Sequence, residues 1–303
     1  KEMNILITGA NGLIGNALKK NLSKNKKFNI DLLGTKKPIV SEGYNSFFNI
    51  KKEKERKESF LNKDVVVHCA GIADPRQFSL QKIYEINSEL TKNLASYAAK
   101  CGVKKFIFLS TSKVLGEFSK TKPFDHLSEP NPIGSYAWSK LHAENNLIKI
   151  TKETEMKAII IRPPAVYGKN NKSNISHLHN IVKKGIPLPV KALNINKRSF
   201  ISLNNLIDLI EVTIQDSVDR NEILLCSDDF DLTLDELVHE MSKAINKNQK
   251  VFFLPVWFLQ SIFYVAGKYK EFDKIYKPFQ LDISYTKSRF NWNPKFNLND
   301  DLL

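Results

Sequence analysis

Residues 3–15 read MNILITGANGLIG: an apolar run, then Gly9, Gly12 and Gly15 at three-residue spacing, then a helix-like stretch. Few architectures accept such an opening. A turn from strand into helix needs a residue free to take positive φ and a backbone that another group can approach closely. The first helical turn then offers unpaired N–H groups and the positive end of the helix dipole, which suits a diphosphate. Further strand candidates lie at 28–33, 64–68, 105–110 and 158–162, with helical patterns at 13–24, 78–100 and 135–153. Near-continuous apolar strands separated by helices predict an α/β fold, a doubly wound parallel sheet. After about residue 169 the rhythm changes. Segment 199–214 still reads strand then helix, and the remainder reads as a small α+β region. The expected division is a dinucleotide-binding domain of residues 1–168 plus about 197–224, and a second domain of about 169–196 plus 225–303.

Composition narrows the partners. The 303 residues carry a net charge of +14, but the lysines are spread along the chain, as at 19–27 and 51–57. No basic helix or aromatic-interleaved strand accompanies them, so a solvated lysine-rich surface is expected and a nucleic-acid partner is not. Cys69, Cys101 and Cys226 are odd in number and far apart, which fits reduced thiols in the cytoplasm. The first strand begins almost at once, and no leader is expected. The most apolar stretch, 251–267, is short of the ~20 residues a membrane span needs and is interrupted by Pro255 and Gln260. It reads as a packed loop and helix, so no integral membrane segment is expected. Among the histidines, His177 and His179 lie two apart without a third ligand, and no metal site is expected.

The second strand candidate is followed by Gly34-Thr35-Lys36-Lys37, with no acid to meet the ribose hydroxyls of NAD. Asp31 lies three residues back, about 10 Å along the strand. A hydroxyl and two ammonium groups suit a 2′-phosphate, so NADP(H) is favoured, with NAD the alternative.

Tyr136 and Lys140 stand four apart on a helical pattern and share one face. A lysine cation there lowers the phenol's pKa and makes it a usable acid or base. Upstream, Leu109-Ser110-Thr111-Ser112-Lys113 follows a strand and places hydroxyls where they can share a substrate oxygen with the tyrosine.

With these residues in order, the chain resembles the extended short-chain dehydrogenase/reductase family, in its nucleotide-sugar branch. The resemblance runs through TGANGLIG, HCAG (68–71), LSTSKVLG, YAWSK, RPPAVYG (162–168), RSFISLNNLIDLI (198–210) and FNWNP (290–294). It implies Thr111, Tyr136 and Lys140 as the catalytic set. It implies cofactor contacts at Gly9, Asn11, Gly12, Leu13, Ile14, Gly15, Thr35, Lys36, Lys37, Asn49, Ile50, Ala70, Gly71, Ser110, Tyr136, Lys140 and Pro163. Asn87 would support the lysine through water. Asn174 and Arg198 would grip the substrate's diphosphate, with Lys113 near the hexose. A UDP-sugar substrate and a homodimer built on 78–100 and 135–153 are further implications.

Departures from the family pattern bear on the reaction. Ser112 and Lys113 stand where 4,6-dehydratases carry Asp-Glu, which disfavours dehydration. Asn49-Ile50 stands where 4-epimerases usually carry Asp-Ile or Asp-Leu. Together with the lysines after the second strand, this favours a reductase drawing on NADPH. The expected reaction is hydride transfer to C4 of a UDP-4-keto-6-deoxy-N-acetylhexosamine. A 4-epimerase acting on a UDP-hexose or UDP-N-acetylhexosamine with bound NAD is the alternative, and a non-catalytic NADP-binding protein a minor one.

Overall fold

The computed structural model describes residues 2–39, 42–168, 174–217, 219–298 and 300. The strands are β1 Met3–Thr8, β2 Phe28–Gly34, β3 Ser46–Asn49, β4 Val65–His68, β5 Lys105–Leu109, β6 Lys157–Arg162, β7 Ala165–Tyr167, β8 Arg198–Ser202, β9 Glu222–Leu225 and β10 Asp231–Leu232. The helices are α1 Leu13–Leu22, α2 Glu53–Glu58, α3 Leu80–Tyr84, α4 Leu90–Lys100, α5 Ser135–Lys152, α6 Asn174–Lys184, α7 Leu203–Gln215, α8 Leu234–Ala244, α9 Val256–Val265, α10 Tyr269–Tyr276 and α11 Ser284–Phe290. Among the described residues they build a seven-stranded sheet in the order β3-β2-β1-β4-β5-β6-β9 and a three-stranded one in the order β10-β8-β7. The registers from β3 to β6 are parallel. This is the doubly wound α/β fold expected from the strand rhythm.

Two compact units result: residues 1–115, 129–162 and 207–224, and residues 116–128, 163–206 and 225–303. In the first, the central strands are apolar on both faces, and β4 is buried throughout. Leu6, Val66, Phe106, Phe108, Ala158 and Ile160 on one face meet Leu94, Ala95 and Ala98 of α4 and Ala143 and Leu147 of α5. The core of the second unit gathers Tyr167, Phe200, Leu237, Val238, Met241, Leu259 and Phe272. A carboxylate is buried there with its hydrogen bonds filled: Asp228 accepts from the Tyr167 hydroxyl at 2.6 Å, the Ser202 N–H at 2.9 Å and the Asn205 amide at 2.6 Å.

Four features depart from the sequence reading. Strands β3 and β9 are only four residues long and were not legible as strands. Strand β8 pairs with β7 and β10, not with the main sheet. The single helix expected over 78–100 is divided by a π turn at Glu85–Glu89, which turns Asn87 and Ser88 inward. The fourth is α9, whose Leu259 is buried while Trp257, Tyr264 and Val265 stand in the open, so the stretch is not packed all round.

His68 ends β4 with no exposed surface. Its Nδ1 lies 2.6 Å from the Thr8 hydroxyl and its Nε2 2.9 Å from that of Thr91. The Thr91 hydroxyl donates to the Asn87 carbonyl at 2.8 Å, so it can only accept from the ring, and Nε2 carries the proton. Burial, with Lys140 adding to it, pushes the imidazole down to about 3. The unfolded chain, with histidine near 6.5, then binds more protons than the folded one between those values. Stability therefore falls as pH drops from about 6.5 toward 3, by at most about 5 kcal/mol. Urea unfolding across this range is expected to show that slope. His68→Gln keeps a donor and an acceptor but cannot take the extra proton, and should lose this part of the slope.

Candidate active site

The glycine turn is shaped by backbone pressed on backbone. Gly9 follows β1 with φ +75°, and a Cβ there would sit 2.6 Å from the Ala70 nitrogen after β4. A Cβ on Gly15 would lie 2.3 Å from the Gly9 carbonyl oxygen. Gly12 is the N-cap of α1; no side chain caps this helix, and its first turn carries no acid. Its missing Cβ leaves room against the helix end, with the Gly9 oxygen nearest at 3.3 Å. The first-turn N–H groups of Leu13, Ile14 and Gly15 thus have no protein side chain set to receive them. The cradle lies at the carboxyl ends of β1 and β4, where the strand order reverses and open α/β sheets bind ligands. These residues fit a dinucleotide diphosphate.

The adenine side is less pointed. The Asn11 amide donates to the Lys36 carbonyl at 2.7 Å, tying the glycine turn to the segment after β2. Thr35, Lys36 and Lys37 are exposed. Asp31 is committed elsewhere, to Lys63 at 2.9 Å and the Ser46 N–H at 2.9 Å, as its place inside the strand implied. Asn49 sits level with Gly34 across β2 and β3, and its carboxamide oxygen accepts from Lys51 N–H at 3.0 Å. Ile50 donates its N–H to the Gly34 carbonyl and packs against the core.

At the end of β5 the chain places Ser110 and Thr111, both buried. Helix α5 starts after Gly134 at φ +84° and sets Tyr136, Lys140 and Glu144 on one face at four-residue intervals. Partial burial pushes the Tyr136 phenol up to about 12, while a hydrogen bond from Thr111 works in the opposite direction. Lys140 Nζ donates to the Leu109 carbonyl at 2.7 Å and lies 4.6 Å from the centre of the Phe108 ring. Burial pulls it down to about 8 against the pull of Cys69 and Glu144. A Cβ at Gly71 would come 3.2 Å from Lys140 Nζ and 3.1 Å from the Asn87 Oδ1, so these three residues share one small space. Asn87 works through direct bonds: Oδ1 accepts from Ile72 N–H at 2.7 Å, and Nδ2 donates to the Ile72 carbonyl at 3.1 Å and Ser139 Oγ at 3.0 Å. These bonds clamp the π turn, the segment after β4 and α5 together. Lys113 is exposed, with Nζ 5.9 Å from the centre of the Tyr136 ring.

Residues 5–226 match the NAD dependent epimerase/dehydratase family. The chain belongs to it. UDP-glucose 4-epimerase of Vibrio cholerae is 34% identical, with 98% of this chain and 92% of that protein covered. N-acetyl-alpha-D-glucosaminyl-diphospho-ditrans,octacis-undecaprenol 4-epimerase of Escherichia coli O157:H7 is 26% identical over 83% of this chain and 75% of its own. Among solved structures, UDP-glucose 4-epimerase of Thermotoga maritima with UDP-glucose aligns with TM-score 0.79 and 21% identity over 99% of this chain and 96% of its own. UDP-glucuronic acid 4-epimerase of Bacillus cereus in complex with NAD gives 0.78 and 21% over the same shares. This member of the family is thus a nucleotide-sugar enzyme of the short-chain dehydrogenase/reductase kind.

In the second unit of this epimerase/dehydratase, Arg198 opens β8. Its guanidinium donates to the Lys277 carbonyl, lies 5.5 Å from the Phe279 ring, and is drawn down to about 10 by burial. Pro163 is buried just after β6. Asn174 opens α6, and its side chain lies outside the described residues. Among the described residues, no three His, Cys, Asp or Glu side chains gather as a metal would need.

Two residues beside the site were not found from sequence. Glu144 takes a two-pronged hydrogen bond from Arg162, Nη2 at 2.6 Å and Nε at 3.1 Å, and accepts from the Ser110 hydroxyl. Both charged side chains are under 5% exposed. The available signal is Glu144 four residues beyond Lys140, with an arginine closing the apolar run 158–161. Removing one partner leaves a buried charge uncompensated, so Arg162→Met should cost about 3–5 kcal/mol in urea unfolding. Adding Glu144→Gln to that variant should recover part of the loss.

Proposed function

We propose that this chain is a UDP-sugar 4-epimerase that retains NAD. Kinship over nearly the full length of both chains with a UDP-glucose 4-epimerase carries the reading. The second curated relative named above is also a 4-epimerase, and the Bacillus cereus structure holds NAD. The fold, the glycine cradle and the Thr111–Tyr136–Lys140 arrangement serve reductase and epimerase equally. The substrate and the fate of the nucleotide are what separate them.

In this reading the N–H groups at Gly12–Gly15 hold the cofactor diphosphate, Asn11, Ala70, Gly71 and Ser110 line its path, and Thr35, Asn49 and Ile50 border the adenosine. When bound, NAD supplies a hydride acceptor and then a hydride donor at C4 of the sugar. Tyr136 takes the proton of the C4 hydroxyl and later returns it. Lys140, as an ammonium, favours the phenolate against the burial that holds the phenol up. Thr111 shares the reacting oxygen with Tyr136 and fixes its direction. Ser110, through Glu144 and Arg162, keeps the end of β5 still beneath this pair. Arg198 is the second unit's candidate for the diphosphate of a sugar nucleotide.

One observation favours the second reading, a 4-keto reductase drawing on NADPH: Lys36 and Lys37 are exposed where an acid would meet NAD. A homodimer fits either reading. On the two stretches expected to build it, 78–100 and 135–153, Leu80, Tyr84 and Trp138 face outward and are its candidate contacts.

The test is the nucleotide released by denaturing the purified protein, followed by assay with UDP-glucose and UDP-N-acetylglucosamine. NAD near one per chain and interconversion of C4 epimers, without net change in nicotinamide absorbance, is the expected outcome. No bound NAD, with NADPH consumed one for one by a UDP-4-keto sugar, would replace the epimerase with the reductase. In either case Tyr136→Phe should lower kcat by about 10²–10⁴ while leaving bound nucleotide unchanged.

A further inference from the structure

Helix α9 and the segment before it present an apolar face that no described residue covers. From Val251 to Gly267 the chain carries no charged side chain. The inward side of the helix is accounted for: Leu259 is buried and Phe263 meets Phe272 with ring centres 5.4 Å apart. The opposite side would ordinarily be polar. Here, apart from Ser261, whose hydroxyl donates to the Trp257 carbonyl at 2.9 Å, it carries Trp257, Phe258, Ile262, Tyr264 and Val265, with Trp257 67%, Tyr264 72% and Val265 87% exposed. Phe253, 64% exposed, extends it toward the preceding segment. A contiguous apolar patch on this scale marks a binding surface.

The border of the patch says what it binds. Lys250 precedes it and Lys268 follows it, both exposed. Exposed Lys191 lies alongside, its N–H 3.4 Å from the Phe252 carbonyl. Lys247 reaches the carbonyl of Lys183 at the end of α6, so the cationic edge continues there. Of the acids nearby in sequence, Glu240 is paired with Lys243 and Asp273 with Lys277, while Glu271 stands exposed in α10. Aromatic and aliphatic side chains bordered by Lys250, Lys268 and Lys191 complement an anionic lipid surface, the apolar groups sinking to the acyl boundary and the ammoniums meeting phosphates. A second copy of the chain would set the same lysines against each other. The helix cannot cross the bilayer: its ten residues rise about 15 Å, half the hydrocarbon thickness.

We propose that this face docks the protein on an anionic membrane surface, with α9 lying in the plane of the interface. The proposal is independent of the epimerase reading. It is tested by co-sedimenting the full chain with vesicles of phosphatidylcholine alone or mixed with phosphatidylglycerol. Binding to the mixed vesicles, weakened by salt and by removing the anionic lipid, is expected. Trp257→Ser combined with Val265→Ser should weaken it by at least about tenfold. Lys250→Gln with Lys268→Gln should weaken it on anionic vesicles, and carries the test if the first pair melts early. Failure to sediment with the mixed vesicles, or binding that both variants leave intact, would overturn the proposal. So would a fall in oligomeric state in the Trp257→Ser, Val265→Ser variant, seen by sedimentation velocity, which would give the face to a second copy.

Discussion

The first unit is organised around one steric fact, the absence of a side chain where β1 ends. Gly9 lets that end touch the segment after β4, and Gly15 lets α1 begin directly against it. Strands β1 and β4 are neighbours in the sheet, and their following segments lead away on either side of the reversal in strand order. Everything proposed for the cofactor depends on this contact. It brings an uncapped helix end, the Ala70–Gly71 segment and, through Gly71, Lys140 and Asn87 into one neighbourhood. A methyl group at Gly9 or Gly15 would need backbone to move, and backbone in a packed sheet has nowhere to go.

The chemistry proposed for Tyr136 rests on an electrostatic balance. Burial alone makes the phenol a poor acid and makes the Lys140 ammonium easier to lose. The Thr111 hydrogen bond works against the first displacement, and Cys69 and Glu144 work against the second. Glu144 holds the lysine's charge from one side while being held itself by Arg162 and Ser110. The lysine is thereby held by a carboxylate that is itself tied to the ends of β5 and β6.

Much of this was legible because it is written in local pattern. Glycine spacing, apolar strands and the four-residue interval from Tyr136 to Lys140 are short-range signals, and each maps onto one element. What escaped is long-range. Strands β3 and β9 are four residues long and are specified by their neighbours in the sheet more than by their own composition. Arg162 and Glu144 are eighteen residues apart, and a sequence shows two charges without showing that both are buried. Strand β8 reads correctly as a strand, but nothing in RSFIS says which sheet receives it. Reading 251–267 as packed followed from its hydrophobicity, yet hydrophobicity does not reveal on how many sides a helix has neighbours. The cofactor's adenine end turns on which nearby polar groups are already engaged, and sequence does not display that.

The hydrogen-bonded row through His68 has a direction. Ala70 N–H points to the Thr8 hydroxyl, Thr8 to the ring, the ring to Thr91, and Thr91 to the Asn87 carbonyl. Each group donates the same way, from the segment after β4 to the π turn, so the row behaves as a small aligned dipole with its ends at the two places that flank Lys140. No member can reverse alone without leaving two donors or two acceptors facing each other. The orientation of a neutral imidazole at the end of β4 is therefore settled by the backbone at both ends of the row, and a disturbance at either end is felt at the other as a change of polarity and not of shape.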